Sequence, residues 1–477
     1  MKNLEATYQK LFRDISLAAN TINQQVFVVG GFVRDYYLDR IYPGHHYDID
    51  FVTDGSGIQM ANTVAKRLGV KNVTVYRKFG TAQITYHSLV LEFVGARKES
   101  YRADSRKPSV EAGTIKEDQL RRDFTINALS WSLNPHDFGE LIDPFGGIKD
   151  LEERWIRTPV QPEKTFSDDP LRMLRAVRFA SQLHFNIAPE TRSAMISMAG
   201  RMEIVSRERI LDELNKIILS DQPSVGFRLL FETGLLEQFF PELVALHGVE
   251  EVNNVRHKDN LWHTLRVLDN IAHVSDNLWL RWAALLHDIA KPHTKRFDMK
   301  QGWTFHGHDA LGAQMVPRLF RRFGLPLDER MRYVKKLVRL HLRPIALVGE
   351  TVSDSAVRRL IFEAGDDIDD LMTLCRADIT SKNHLKIKQF LENFDHVEKR
   401  IAEVEEKDRI RNWRPPVSGN DIMEICGLPP GPLIGDIKDR IEEAILNGDI
   451  PNTREDALGY LLSIRKDIDE KNRKSSS

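Results

Sequence analysis

The chain has 477 residues, which is enough for roughly two to four domains with apolar cores of their own. Its 68 lysines and arginines nearly balance 69 aspartates and glutamates, so a globally basic surface is excluded and RNA binding would need local basic patches. The two cysteines, Cys375 and Cys426, lie far apart and form no disulfide framework or metal knuckle, which is typical of a reducing compartment.

Residues 1–15, MKNLEATYQKLFRDI, predict an amphipathic and charged helix without a long apolar run. We therefore expect neither a secretory signal nor a membrane span. The interpretation that follows is a soluble, cytoplasmic protein.

Residues 26–50 predict a strand, a turn, a helix and a second strand. The first strand covers Val26–Val29, the turn holds Gly30 and Gly31, and the helix opens through Arg34. Glycines allow backbone N–H groups to approach a phosphate closely, and the start of a helix favours an anion. This turn is therefore a candidate phosphate site.

The second strand is predicted to end in Asp48-Ile49-Asp50. Side chains alternate along a strand, so the two carboxylates share one face while Ile49 points to the core. Two acids held this close repel each other, and magnesium, which takes one or two carboxylates plus substrate phosphates, would offset the repulsion. The alternative interpretation is a surface Asp-x-Asp beside an ordinary turn.

The rest of the first 150 residues alternates helix and strand patterns. The predicted elements are a helix near Gly57–Leu68 and strands at Val73–Tyr76, Ala82–Tyr86 and Leu89–Val94. Ser100–Thr114 is polar and contains proline and glycine, which predicts a mobile loop. Order resumes at Arg122–Trp131, and Asp143–Gly147 predicts a turn.

Glu92 lies in the middle of the strand LVLEFV, and its neighbours Leu91 and Phe93 face the opposite side. An acidic side chain among apolar neighbours needs a partner, and Glu92 is therefore a candidate third carboxylate beside Asp48 and Asp50. An edge-strand charge turned to solvent is the alternative.

Beyond residue 150 helical periodicity dominates the sequence. The predicted helices include Leu171–Leu183, Arg207–Leu219, Val225–Phe231, Leu261–Val274 and Leu278–Ala290. The predicted fold class is α+β: a small α/β head with a mixed sheet, followed by a long all-α body.

Two arginine-rich stretches precede or form helices. Arg121-Arg122-Asp123 leads into an apolar run, and Ser167–Phe179 reads SDDPLRMLRAVRF. In the second stretch Ser167 can cap a helix, and arginines at every third position form one stripe on its surface. A solvated stripe is the structural alternative to a binding role.

Histidines and aspartates recur in the helical contexts NLWHTL, LLHDIAKP, FHGHDA, VRLHLRP and CRADIT. A lone histidine on an apolar face is usually a core residue, but this set is larger. Its members are His263, His287, Asp288, His308, His341 and Asp378. Imidazoles and carboxylates together suit a transition metal.

These motifs together resemble the bacterial tRNA nucleotidyltransferase (CCA-adding) and poly(A) polymerase family, class II. The resemblance implies nucleotidyl transfer in which Asp48, Asp50 and Glu92 are catalytic and the two aspartates bind magnesium. It also implies a set of residues that bind the incoming nucleotide. They are Gly30, Gly31, Arg34, Arg121, Arg122, Asp123, Asp169, Arg172, Arg175 and Arg178.

In this family an acid and an arginine three residues later form hydrogen bonds to the edge of the incoming base. Asp169 would accept from an exocyclic amine and Arg172 would donate to ring acceptors, so cytosine and adenine are selected without a template. This chain has Asp168-Asp169 where many members have Glu-Asp. The segment Arg207–Leu214 resembles the next family motif, a neck helix that supports this site.

The downstream set is similar to HD-superfamily phosphohydrolases. The resemblance implies that His263, His287, Asp288 and Asp378 bind a divalent metal such as Mn, Ni or Co. His308 and His341 would bind phosphate or extend the site. A relic that only stabilises the helical body is the alternative.

The resemblance implies four domains: a head at 1–150, a neck for RNA and base recognition at 151–250, an HD domain at 251–385 and an RNA-binding helical region at 386–477. It implies tRNA, CTP and ATP as partners, and neither DNA nor membrane. Three rivals stay open: poly(A) polymerase, an enzyme that adds only CC or only A, and an HD phosphohydrolase whose head docks RNA.

Overall fold

The computed structural model describes residues 4–42, 47–102, 105–253, 255–347, 353–380, 384–408 and 415–475. The chain divides into two compact units, Met1–Pro241 and Glu242–Ser477. The first contains a mixed sheet with helices and the second is mainly helical, which confirms the predicted α+β class. The finer division into four domains stays a prediction.

The head begins the first unit. Its helices are α1 (Ala6–Thr21), α2 (Gly31–Tyr37), α3 (Gly57–Leu68), α4 (Ile115–Leu120) and α5 (Gly147–Glu153). Its strands are β1 (Val26–Val29), β2 (Tyr47–Thr53), β3 (Thr74–Tyr76), β4 (Thr81–Tyr86), β5 (Leu89–Gly95), β6 (Arg97–Arg102), β7 (Ser105–Ala112), β8 (Ser130–Ser132) and β9 (Leu141–Ile142). Seven strands form one sheet in the order β3-β4-β5-β2-β1-β8-β9.

One face of this sheet is apolar and packs against helices α1 and α3. Phe51 of β2 stacks on Phe93 of β5 with ring centroids 4.8 Å apart, and Phe12 of α1 meets Phe51 edge-on. All three rings are fully buried. Because a one-residue slip would expose this set, the core fixes which residues point to the opposite face.

The predicted end of the second strand is wrong. Asp48 and Asp50 lie near the start of β2, which continues through the buried residues Phe51 and Val52 to Thr53. The continuation pairs antiparallel with β1, with Val29 opposite Asp50 and Val26 opposite Thr53. An apolar run that can bury both faces prolongs the strand beyond the acids.

The predicted loop at Ser100–Thr114 is also wrong for the residues that the structure describes, because 100–102 and 105–112 lie in two paired strands. Strands β6 and β7 pair antiparallel from Arg97 opposite Ala112, with a bulge near Ser100. The N–H of Gly113 donates to the carbonyl of Ala96 over 2.9 Å and closes the base of the ribbon. A ladder made by backbone groups does not require apolar side chains, so polar composition concealed it.

The neck region completes the first unit. Its elements are β10 (Trp155–Ile156), α6 (Pro162–Asp168), α7 (Leu171–Leu183), β11 (Asn186–Ile187), α8 (Pro189–Met198), α9 (Arg207–Ile218), α10 (Pro223–Glu232) and α11 (Leu235–Phe239). Helix α12 (Pro241–Val244) begins at the last residue of this unit. Helix α7 has the predicted bounds. Ser167 does not cap it, since Ser167 lies inside α6 and the Asp169 carboxylate accepts from the N–H of Leu171 instead.

The second unit is a set of helices with two short hairpins. Its elements are β12 (Glu251–Val252), β13 (Val255–Arg256), α13 (Asn260–Ala272), α14 (Leu278–Leu286), α15 (Lys291–Thr294), β14 (Arg296–Asp298), β15 (Gly302–Thr304), α16 (His308–Phe323), α17 (Glu329–Leu340), α18 (Arg343–Ala346), α19 (Asp354–Ala364), α20 (Ile368–Asp378), α21 (His384–Asp408), α22 (Gly419–Cys426), α23 (Pro432–Asn447) and α24 (Arg454–Ser475). Among the helices in the described ranges, none is both long and apolar enough to cross a membrane.

Candidate active sites and family

Three carboxylates occupy the polar face of the head sheet. Strands β2 and β5 run parallel with Asp50 directly opposite Glu92, and Asp48 lies two residues earlier on the same face of β2. Ile49, Leu91 and Phe93 are buried on the other face. The structure therefore brings Glu92 beside the aspartate pair, as the alternation of apolar residues predicted.

The electrostatics of this cluster favour a cation. Burial raises the pKa of Asp50, and the nearby charges of Asp48 and Asp118 add to that rise, while Arg122 opposes it. Burial also raises the pKa of Glu92, with Asp50 and Asp48 contributing repulsion. Within the described part of the chain, none of these three carboxylates forms an ion pair. Their donors fit magnesium, which prefers oxygen ligands and retains several waters.

The glycine turn lies directly beside the acids. Gly30 has φ of +78°, and a Cβ atom placed there would lie 3.0 Å from Nη1 of Arg122 and 3.7 Å from Oδ2 of Asp50. Glycine at this position thus permits both a left-handed backbone and close approach. Arg34 lies in helix α2, which follows this turn. Its guanidinium group donates to Asn127 Oδ1 over 2.8 Å and to the Asp35 carboxylate over 2.8 Å.

Arg121 and Arg122 are held by one acid that the sequence reading did not single out. Asp118 is fully buried, and its two carboxylate oxygens lie 2.5 Å from Arg121 Nη2 and 3.1 Å from Arg122 Nη2. The signal was present, since an acid three and four residues before two arginines faces both of them on a helix. Asp118 holds both guanidinium groups, and that of Arg122 lies beside the Gly30 turn.

The arginines of helix α7 are not a solvated stripe. Arg175 lies 2.6 Å from Asp123, and Arg178 lies 3.2 Å from the buried Glu213 of α9. The guanidinium groups of Arg34 and Arg178 lie over the ring of Phe179, at 5.0 and 4.3 Å from its centroid. The ring of one neck residue therefore brings head and neck arginines together.

Asp123 should make the first unit sensitive to acid. Burial opposes its ionisation, but Arg175 and Asn127 lower its pKa from 3.8 to about 2. Because the folded pKa is depressed, the stabilisation is present above pH ~4 and is lost as the pH falls toward 2, with a magnitude of about 2 kcal/mol. We expect Asp123→Asn to lower the thermal midpoint at pH 7 and the gap from wild type to narrow at pH 3. A gap of equal size at both pH values would contradict this assignment.

Asp169 and Arg172 each have a protein partner in the structure. The carboxylate of Asp169 accepts from Arg209 over 2.7 Å, and Nη2 of Arg172 donates to the backbone carbonyl of Arg121 over 2.6 Å. The sequence reading identified the motif that contains Arg209 but gave that arginine no role. Arg209 therefore pairs with the Asp169 carboxylate in the absence of a nucleotide base.

A second polar cluster lies inside the second unit, and its residues belong to helices α13, α16 and α20 or directly follow helices α14 and α17. Nε2 of His263 is 2.8 Å from Asp378, while Nε2 of His287 and of His308 are each 3.2 Å from the Asp288 carboxylate. Two groups have ligand atoms that all lie within 4.8 Å of one another. They are His263, His287 and Asp378, and Asp288, His308 and His341. The structure thus assembles all six residues named from sequence.

The imidazoles of this cluster are arranged as metal ligands are. Nδ1 of His287, His308 and His341 contacts a backbone carbonyl at 2.7–2.8 Å, which places the proton on Nδ1. The three Nε2 atoms are buried and, among the described residues, make no hydrogen bond of proper geometry. A buried ring nitrogen without a hydrogen-bond partner costs free energy unless a ligand satisfies it, so these nitrogens fit a divalent metal.

Two further residues support this cluster and were missed from sequence. Nζ of Lys291 lies 2.6 Å from Asp288, and Thr380 Oγ1 lies 2.9 Å from Nδ1 of His263. Burial disfavours the charge on Asp288, yet His287 and Lys291 hold the pKa of that carboxyl well below its usual range. Burial lowers the pKa of His341 to about 4, and the charge of His287 adds to that effect. Burial opposes a charge on His287 as well, but Asp288 and Asp378 raise the pKa of that imidazole to about 10. A metal that binds Nε2 of His287 would therefore displace a proton.

Comparison with known proteins covers both units. Family models match for the poly A polymerase head domain (residues 26–157), the RNA- and SrmB-binding site of polymerase A (184–246), the HD domain (261–381) and tRNA nucleotidyltransferase domain 2 (369–460).

Named relatives and a solved structure agree with these models. An A-adding tRNA nucleotidyltransferase of Deinococcus radiodurans is 31% identical over 352 residues, which is 72% of this chain and 77% of that protein. A CC-adding tRNA nucleotidyltransferase of Thermus thermophilus is 30% identical over 455 residues, or 92% and 93% of the two chains. The Bacillus stearothermophilus CCA-adding enzyme in complex with CTP is 25% identical with a TM-score of 0.63, over 98% of this chain and 100% of that one. The chain belongs to the tRNA nucleotidyltransferase family, and its second unit contains an HD domain.

Proposed function

We propose that this protein adds nucleotides from CTP and ATP to the 3′ end of tRNA without a nucleic-acid template, building or repairing the CCA end. The observation that carries the proposal is the pairing of Asp50 with Glu92, which places three carboxylates on one face of the sheet beside the Gly30 turn. A phosphate turn and an acid cluster in contact are what nucleotidyl transfer needs.

In this proposal Asp48 and Asp50 would hold magnesium, with Glu92 completing the acid cluster. When bound, the metal supplies charge neutralisation for the triphosphate and activation of the RNA hydroxyl. The side chains and backbone of the protein mainly position the nucleotide for transfer. Gly30 and Gly31 allow the backbone to approach the triphosphate, and the guanidinium forks of Arg34, Arg121 and Arg122 bind its oxygens. Asp118 holds two of these forks in place.

Asp123, Arg175 and Arg178 would orient the nucleotide from the neck side, while Asp169 and Arg172 would read its base. Cytosine and adenine present an amine beside a ring nitrogen, whereas uracil and guanine present a carbonyl there. Arg209, which donates to Asp169 over 2.7 Å, would take part in this scheme. The base amine would replace Arg209 as the donor to Asp169, so the carboxylate stays ionised and oriented before a nucleotide enters.

Replacing Asp169 should weaken the discrimination between bases more than it slows the chemical step. We expect Asp169→Ala to lower kcat/KM for CTP and ATP about 10- to 100-fold, because one base-edge hydrogen-bond pair provides about 1–3 kcal/mol of discrimination. Incorporation of UTP and GTP should fall much less. Single-nucleotide extension with each of the four triphosphates measures this, with Asp212→Ala, an exposed carboxylate of the same neck paired to Lys216, as the control. Equal losses for all four triphosphates would remove Asp169 from base reading.

The extent of addition decides between the rival activities. Three tRNA substrates are needed, ending at the discriminator nucleotide, after one C and after two C residues. A CCA-adding enzyme extends all three to the same end, a CC-adding enzyme stops before A, and an A-adding enzyme extends only the third. Unlimited addition of A to unrelated RNA would favour poly(A) polymerase.

The second unit supports a separate metal-dependent phosphohydrolase activity. Its supporting observation is the set of buried Nε2 atoms that face Asp288 and Asp378. His263, His287, Asp288 and Asp378 would hold a divalent transition metal such as Mn, Ni or Co, and His308 and His341 would bind phosphate or extend the site. Cyclic 2′,3′-phosphates and nucleotide phosphates are the proposed substrates. We also propose the four domains 1–150, 151–250, 251–385 and 386–477.

A further inference from the structure

The sheet order separates two sides of the acid cluster in the head. The glycine turn and Arg34 follow β1, on one side of Asp48 and Asp50. Glu92 lies on the other side, on β5, and beyond it come β4 and then the edge strand β3. The proposed triphosphate site is thus on the β1 side of the acids.

If the proposed function is correct, the geometry of nucleotidyl transfer determines where the 3′ end of the RNA lies. The 3′-oxygen of the RNA forms a bond to the α-phosphorus, the bond to the pyrophosphate oxygen breaks, and the hydroxyl proton passes to solvent. Attacking and leaving oxygens lie roughly in line. Because pyrophosphate leaves on the β1 side, the 3′-terminal nucleotide must approach over β5, β4 and β3.

The side chains of Gln83 and Tyr76 lie along this approach, on the polar face of the sheet. Gln83 of β4 lies directly opposite Glu92, and Thr74 of β3 lies opposite Gln83. Residues opposite each other in an antiparallel pair share a face, so Tyr76, two residues after Thr74, is on the acid face as well. The Tyr76 hydroxyl donates to Oε1 of Gln83 over 3.3 Å, so the ring leans across β4 toward Glu92.

The exposure and charge of this edge suit RNA. Tyr76 is 45% exposed and Phe79, in the adjoining 3₁₀ turn Arg77–Phe79, is 62% exposed. Arg77 and Lys78 in that turn are exposed cations, and Lys78 Nζ lies 6.0 Å from the Phe79 ring centroid. Aromatic rings beside cations bind single-stranded nucleic acid through stacking and phosphate contacts.

We infer that Tyr76 and Gln83 form a primer platform, a binding site for the unpaired 3′-terminal nucleotide of the RNA acceptor. The Tyr76 ring stacks on the terminal base, and the Gln83 amide donates to its ribose or phosphate oxygens. Arg77 and Lys78 contact the preceding phosphates. The platform positions the 3′-hydroxyl beside Glu92 and takes no part in bond making.

The test uses the full chain and an RNA minihelix ending in two cytidines, with the last one replaced by fluorescent pyrrolocytidine. Stacking on Tyr76 should quench the probe on binding. We expect Tyr76→Ala to abolish the quench and to raise KM for the minihelix about 5- to 100-fold, since stacking contributes roughly 1–3 kcal/mol per base. KM for ATP should change less than about twofold. Tyr76→Phe, which keeps the ring, should retain most of both signals.

Val75→Ala is the matched control, because Val75 is 37% exposed on the same edge strand but faces the other side of the sheet. An unchanged quench and unchanged KM for RNA in Tyr76→Ala would overturn the platform, and so would an equal loss in Val75→Ala. Failure of the proposed function is a different result. In that case the wild type would extend no RNA, while the quench would still report whether the RNA end lies on Tyr76.

Discussion

Asp48→Asn and Asp50→Asn should each abolish nucleotide addition, with a loss of at least about 10³-fold in single-turnover rate. Each substitution keeps the size of the side chain and removes one negative charge from a cluster whose carboxylates have no ion-pair partner among the described residues. Without that charge the divalent cation loses a ligand. The triphosphate next to Gly30 then cannot be held in the position that transfer requires.

Binding of tRNA measured by filter retention should stay within about twofold of wild type, because phosphate contacts by basic side chains dominate such affinities. Glu152→Gln is the control, since it removes an exposed carboxylate from helix α5 of the same unit. If either aspartate variant kept addition within tenfold of wild type, the acid cluster would not be the catalytic centre.

His287→Ala should strip the second unit of its metal and of phosphohydrolase activity while sparing nucleotide addition. His287 is fully buried and its Nε2 lies 3.2 Å from Asp288 and 3.6 Å from Asp378. Removing it takes one donor from the middle of the cluster. Metal content by mass spectrometry after dialysis against Mn, Ni or Co gives a readout that does not depend on activity.

His273→Ala is the matched control for that experiment, because His273 directly follows helix α13 and is exposed. Its metal content and its hydrolysis of 2′,3′-cyclic nucleotides should equal those of wild type. A wild-type protein that binds no metal and hydrolyses no cyclic or nucleotide phosphate would favour the interpretation of the cluster as a structural relic.

Local patterns predicted the parts of the head that depend on alternation and turn chemistry. The placement of Glu92 is such a case, because Leu91 and Phe93 require burial and leave only one face for the acid. Helix α7 was predicted to the residue, since its apolar period is regular. Features built by backbone pairing were not predictable in this way. The β6–β7 hairpin and the continuation of β2 beyond Asp50 both depend on which strands become neighbours.

The sequence indicated the members of both sites better than their partners. Arg209 holds Asp169 from a distant position in the chain, and that contact exists only after helices pack. Asp118 precedes Arg121 and Arg122 by one helical turn, so its spacing was a local signal that the motifs did not draw attention to. In the second unit the six ligand candidates were named from local context. The contacts of Lys291 and Thr380 with that cluster follow from three-dimensional neighbours and carry no motif of their own.

CCA addition is measured most directly by the mass of tRNA lacking its CCA end after incubation with this protein, CTP, ATP and magnesium. We expect an increase equal to two cytidylates and one adenylate, with no further growth and with no increase for the Asp48→Asn variant. Wild-type protein that leaves this tRNA at its starting mass would contradict the proposed function.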